Sequence, residues 1–127
     1  MREYHTQMEA ARKGIVTPEM KAVAGKERRT EEEIRNWVAE GKVVIPANPA
    51  HKGLDPNGIG SMLKTKINVN LGISRDVKDY DVEMKKVLSA VDLGAEAIMD
   101  LSSHGNTQPF RRKLTSECPA MIGTVPI

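Results

Sequence analysis

Apolar and polar positions change rhythm part-way along the chain. Up to Gly41 the same local pattern recurs: a threonine, acidic residues close behind it, a short apolar stripe and a glycine. Thr6-Gln7-Met8-Glu9 reads as a capping box, its hydroxyl and carboxylate meeting free backbone N–H groups, with Gly14 as the stop. Thr17-Pro18-Glu19-Met20 repeats the start with proline at the first helical position, and Gly25 is the expected end. Thr30-Glu31-Glu32-Glu33 opens a third helix, with Ile34, Trp37 and Val38 on one stripe before Gly41. Its glutamate run reads as a solvated first turn that suits the helix dipole. Lys42-Val43-Val44-Ile45 predicts a short strand closed by Pro46. Ala47 to Gly60, rich in glycine and proline, predicts a long connection.

Beyond Lys64 the period switches. Thr65 to Gly72 alternates strictly, as strands do. Met84, Val87, Leu88 and Val91 share one helical face ended by Gly94, and Ala95 to Ser102 predicts a second strand. The polar turn Ser103-His104-Gly105-Asn106 leads to a helix capped by Thr107, with Phe110 and Leu114 on its buried side. After Cys118-Pro119, Ala120 to Ile127 predicts a third strand. Strand, helix, strand, helix, strand is the order of a parallel sheet with right-handed crossovers. The expected class is α/β: residues 1–60 form a helical region with a short strand and a loop, and residues 61–127 carry the strand–helix repeat.

Composition narrows the function. A length of 127 residues and 39% hydrophobic residues suit a compact domain with a core. A net charge of +2 and four aromatic residues argue against nucleic acid as a partner. No apolar run approaches the roughly 18 residues of a membrane span, and the charged start does not read as a secretory signal. The single cysteine, Cys118, excludes an internal disulfide and any several-cysteine metal site built from this chain alone, and it fits a reducing, cytoplasmic setting.

The first strand of the repeat carries the most chemistry. One face holds Ile67, Val69 and Leu71; the other holds Lys66, Asn68 and Asn70. A sheet covered on both sides wants two apolar faces. In a closed βα-barrel the second face looks inward, and polar groups at the strand ends build the site. Asn70 stands at that end, where a buried amide needs partners: neighbouring loops, or a ligand with ring nitrogens or hydroxyls. Met99 reads as core filler. Asp100 reads equally as a ligand or loop orienter and as a cap for the next turn. His5 and His51 are expected in solvent, and His104 lies in the turn after the second strand. Arg111-Arg112-Lys113 offers charge for a phosphate, but on a helix such a run reads first as a solvated face. No P-loop, dinucleotide fingerprint or nucleophile elbow is present.

Five stretches together resemble one family. They are Thr6 to Met20, Gly41-Lys42-Val43-Val44-Ile45-Pro46-Ala47-Asn48, Lys66-Ile67-Asn68-Val69-Asn70-Leu71-Gly72, Ala95-Glu96-Ala97-Ile98-Met99-Asp100-Leu101-Ser102 and Ile122-Gly123-Thr124-Val125-Pro126-Ile127. In this order they are similar to the phosphomethylpyrimidine synthases of thiamin biosynthesis. The resemblance implies a radical S-adenosylmethionine enzyme that converts 5-aminoimidazole ribotide to 4-amino-5-hydroxymethyl-2-methylpyrimidine phosphate. It implies a small N-terminal domain, a (βα)8 TIM-type barrel, a [4Fe-4S] cluster, zinc and a tendency to homodimers. Asn70 and Met99 are the substrate-binding positions it carries over to this chain.

The family pattern continues past Ile127 with a substrate-binding tyrosine, further strands, metal-binding histidines, phosphate-binding loops and a cysteine triplet to which Cys118 does not belong. The expectation is therefore the first βαβαβ of an incomplete barrel: an N-terminal part that binds no cofactor by itself, is inactive alone, and is marginally stable or self-associating. The remainder of the parent chain is the implied partner. The alternatives are the related 5-hydroxybenzimidazole synthase of anaerobic cobamide biosynthesis, and a non-catalytic truncated paralogue serving as a binding module.

Overall fold

A computed structural model describes residues 3–125. The chain divides into two compact units: Met1–Ala47 with Pro56–Thr65, and Asn48–Asp55 with Lys66–Ile127. The division is discontinuous, where the sequence suggested one boundary near residue 60. Within the second unit, the stretch 48–55 is held by the end of the last helix and the turn after it. His51 Nε2 lies 2.7 Å from the Cys118 carbonyl, and Asp55 N–H donates to the Pro119 carbonyl at 2.9 Å.

The first unit contains α1 (Gln7–Arg12), α2 (Pro18–Glu27) and α3 (Glu31–Ala39), followed by β1 (Val43–Val44) and β2 (Ile59–Gly60). Each helix begins as its threonine requires. The Thr6, Thr17 and Thr30 hydroxyls accept from the N–H groups of Glu9, Met20 and Glu33. At Thr30 the box is reciprocal, because Glu33 also accepts from the Thr30 N–H at 2.8 Å. At Thr6 it is not: the Glu9 carboxylate reaches one residue further back, to the His5 N–H. Gly25 does not end α2. It lies inside the helix, which stops at Arg28 in a left-handed conformation (φ 54°), and Arg29 N–H closes back onto the Ala24 carbonyl. The core gathers Met20, Val23, Ile34, Val38 and Val43. β2 falls inside the predicted connection and pairs antiparallel with β1, Val43 opposite Gly60. Gly60 permits this, since a Cβ there would lie 2.3 Å from the Lys42 carbonyl oxygen.

The second unit contains β3 (Asn68–Leu71), α4 (Tyr80–Asp92), β4 (Ala97–Asp100), α5 (Gln108–Glu117) and β5 (Met121–Thr124). The strands are shorter than predicted, and Pro126 and Ile127 lie outside the described residues. The sheet order is β3-β4-β5 and both pairings are parallel. Leu71 and Ile98 enter one core with Met84 and Val87 of α4 and Phe110 and Leu114 of α5. Both helices therefore cover the apolar sheet face, and each buried large side chain contributes about 1.5–3 kcal/mol. The α4 stripe is shifted from prediction. Ala90 is buried where Leu88 was expected, and Leu88 is exposed. Tyr80 stacks on Phe110 with ring centroids 5.2 Å apart, joining the starts of the two helices.

Candidate functional site

The parallel register fixes which side chains become neighbours. Asn70 pairs with Met99, and Met99 with Gly123, so these three form one row across β3, β4 and β5. Side chains alternate faces along a strand. Val69, Leu71 and Ile98 point into the helix-covered core, so the row lies on the opposite face. Asn70 is exposed, not buried as its position in a strand suggested; its Oδ1 accepts from Asn68 Nδ2 at 3.3 Å. Met99 is half-buried and extends over β5, where Gly123 has no side chain to meet it. An amide with free hydrogen-bonding capacity beside a polarizable thioether suits the edge and face of a small polar ring.

Asp100 follows Met99 but points to the other face and is fully buried. Its Oδ2 accepts from Arg111 Nε at 2.7 Å, and its Oδ1 accepts from both the N–H and the hydroxyl of Ser102. Burial works against its ionisation. The hydrogen bond from Arg111, followed by those from Ser102, prevails and holds the carboxyl below its ordinary value. The Ser102 hydroxyl also accepts from the Ile73 N–H at 3.1 Å, fastening the chain after β3 to the end of β4. Asp100 is thus a cap and an anchor for the strand ends that carry Asn70 and Met99. Arg111 is not part of a purely solvated face; Arg112 and Lys113 are exposed as expected.

A second buried carboxylate was missed by pattern reading. Glu83 of α4 accepts from the Gly72 N–H at 2.9 Å and pairs with Lys86 at 2.6 Å. His51, expected in solvent, is buried on the Cys118 carbonyl, while His5 and His104 are exposed. His104 borders a polar cavity of about 310 Å³ with Ser103, Thr107 and Arg111. A more apolar groove of about 580 Å³ lies elsewhere, along β3 and α4, and holds neither Asn70 nor Met99.

A family model described as the radical SAM ThiC family matches residues 6–127. The chain belongs to that family. It is 62% identical over 125 residues to a phosphomethylpyrimidine synthase of Alkaliphilus oremlandii, covering 98% of this chain and 29% of the relative. It is 58% identical over 124 residues to the phosphomethylpyrimidine synthases of Clostridium kluyveri and Clostridium botulinum, covering 98% of this chain and 28% of each relative. The chain therefore spans less than a third of the length of the curated relatives it matches, and it matches them over nearly all of its own.

The family description implies S-adenosylmethionine and an iron–sulfur cluster. Among the described residues, no three His, Cys, Asp or Glu side chains gather as metal ligands. The one cysteine of the sequence is buried, and burial raises its thiol above the ordinary value. The donor set of these residues does not fit a cluster or a zinc ion. No helix among them is long and apolar enough to cross a membrane.

Proposed function

We propose that this chain supplies the opening βαβαβ of a (βα)8 barrel and part of the substrate floor of a phosphomethylpyrimidine synthase. In this reading Asn70 and Met99 receive 5-aminoimidazole ribotide, Asn70 reading polar atoms at the ring edge and Met99 lying against the ring. The observation that carries it is the adjacency of Asn70 and Met99 in register, on the sheet face that neither helix covers. Barrel enzymes place their sites on that inward face, at the carboxyl ends of the strands. The identity to the named synthases along nearly the whole chain supports the same reading.

The residues present do binding work: they position a ring and exclude water beneath it. The family's radical chemistry, zinc and the phosphate grip belong to groups held by the rest of a longer polypeptide, with which this chain works in the cytoplasm as a homodimer.

The test is a chimaera in which this chain replaces its counterpart in the Alkaliphilus oremlandii synthase. The expected result is growth of a thiamin auxotroph and formation of the pyrimidine phosphate, identified by mass spectrometry. Asn70→Ala should weaken ribotide binding about tenfold, the worth of one well-made hydrogen bond to a polar ring. A chimaera that makes a hydroxybenzimidazole would move the assignment to the related synthase. An active chimaera indifferent to both Asn70→Ala and Met99→Ala would overturn the assigned floor.

A further inference from the structure

Gly123 stands next to Met99 in the row, and its missing side chain is not neutral. A Cβ built there would lie 2.9 Å from both Sδ and Cε of Met99. Carbon atoms in folded proteins do not approach so closely, so either the glycine or the thioether must give way. Its partner at this approach is the far end of a flexible side chain, not backbone. An alanine at 123 is therefore accommodated at little cost to the fold, by swinging the thioether off β5. Nor is Gly123 needed for its backbone, because its φ is not among the positive values found at other glycines of the chain. Gly60 and Gly72 differ: the atoms a Cβ would meet there include backbone at 2.3 Å and 2.6 Å.

We propose that Gly123 is a positioning residue for ligand recognition. It provides the trough in which the Met99 thioether lies down across β5, keeping the space beside Asn70 open for a planar nitrogen heterocycle. Met99 itself is half-buried, and the bare backbone of Gly123 lies directly under its Sδ and Cε. A larger residue at 123 lifts the methyl group from β5 into the space where the ring would rest. The ligand then loses both the flat thioether contact and its approach to the amide. This deepens the assignment of Asn70 and Met99 to the substrate floor and rests on it.

The test is a double-mutant cycle on the same chimaera, read by calorimetric binding of 5-aminoimidazole ribotide to cluster-free protein and by thermal melting. Gly123→Ala should weaken binding about three- to tenfold, the size of a lost sulfur–aromatic contact, with little change in melting. Met99→Ala removes the group that Gly123 accommodates, so adding Gly123→Ala to it should change nothing further. Equal losses from Gly123→Ala in both backgrounds would place its effect in the backbone and overturn the proposal, as would wild-type binding by Gly123→Ala. Should Gly123→Ala fail to fold, a folded Gly123→Ala/Met99→Ala double variant that binds like Met99→Ala upholds the trough, whereas a double variant that also fails overturns it. Asn70→Ala separates the two claims. Weak binding by Asn70→Ala with a silent Gly123→Ala sinks the trough alone; full-strength binding by Asn70→Ala together with Met99→Ala sinks the floor itself.

Discussion

In the first unit each helix start is sealed by a threonine of its own segment, and the stripe behind it supplies the core. Thr6, Thr17 and Thr30 all cap, and Met20, Val23, Ile34 and Val38 are all buried. The second unit settles its strand ends with partners far along the chain. Asp100 is held by Arg111, Gly72 N–H by Glu83, and Ile73 N–H by Ser102. The cores are separate clusters, so each kind of support stabilises its own unit. The difference teaches where a site is built. Local capping makes a stable scaffold, whereas long-range polar anchoring sets the height and spacing of strand ends, which is where Asn70 and Met99 lie.

That comparison breaks most sharply at Gly72. Its φ of +149° and the approach of its Cα to the next strand leave no room for a side chain; a Cβ would lie 2.6 Å from Ser102 N and 2.7 Å from the Leu101 carbonyl carbon. Those atoms are backbone, fixed by the Leu101 N–H to Leu71 carbonyl bond of 2.8 Å, and cannot swing away. Gly72→Ala should cost the second unit about 3 kcal/mol from overpacking and strain combined. Hydrogen exchange should show loss of protection through β3 and β4 while α2 and α3 stay protected. Uniform loosening of both units would mean that the two cores are coupled.

Asp100→Asn tests the anchoring itself. The folded-state carboxyl titrates below the ordinary 3.8. Its ionised form therefore adds stability above that value, and the contribution fades as pH falls through the lower, folded-state value. The amide cannot match the charged partner of Arg111, and the cost at neutral pH should be about 2 kcal/mol, moderated because Arg111 is partly exposed. Urea unfolding across pH 2–7 reads both effects. The variant should lose midpoint at pH 7 and show a flatter acid limb; an unchanged acid limb would assign that lability to other carboxylates.

Legibility followed the same division. The threonine starts of the first unit, the Ile34 and Val38 stripe, and the strand–helix alternation were all readable, because each is written within a few neighbouring residues. Strict alternation at Ile67 to Leu71 even told which face would be polar. What escaped was non-local. Gly25 looked like a stop because glycine often is one, yet Arg28 takes the left-handed position. His51 and Glu83 are polar residues whose burial depends on groups from distant turns. The two-residue pairing of β1 with β2 leaves too short a pattern to read. The Asp100–Ser102 spacing is a local turn signal, but Arg111 is reached only once α5 folds back. In the candidate row, Asn70 and Met99 stand out by family resemblance, whereas Gly123 becomes visible only when β4 and β5 pair.

The smallest effects are a matched pair of threonines. Thr30 holds a complete capping box, its hydroxyl accepting from Glu33 N–H at 3.1 Å. Thr30→Ala should lower the stability of the first unit by about 1 kcal/mol. Thr107 occupies the same formal position before α5, and the sequence reads it as a cap. In the structure its side chain makes no capping hydrogen bond and its backbone is already helical (φ −78°, ψ −14°). The start of α5 is arranged instead by Asn106, whose Oδ1 meets the Gln108 N–H at 3.4 Å and whose carbonyl accepts from the Tyr80 hydroxyl at 2.8 Å. Thr107→Ala therefore removes no helix-end bond and should change stability by no more than a few tenths of a kcal/mol, within the range of ordinary surface substitutions. Paired urea titrations of Thr30→Ala and Thr107→Ala give the comparison directly. The second unit already has one local cap, at α4, where the Asp79 carboxylate accepts from the Asp81 and Val82 N–H groups, so the contrast concerns its strand ends and the start of α5. A loss at Thr107 equal to that at Thr30 would show that α5 also depends on its own threonine, and the contrast would then narrow to the strand ends alone.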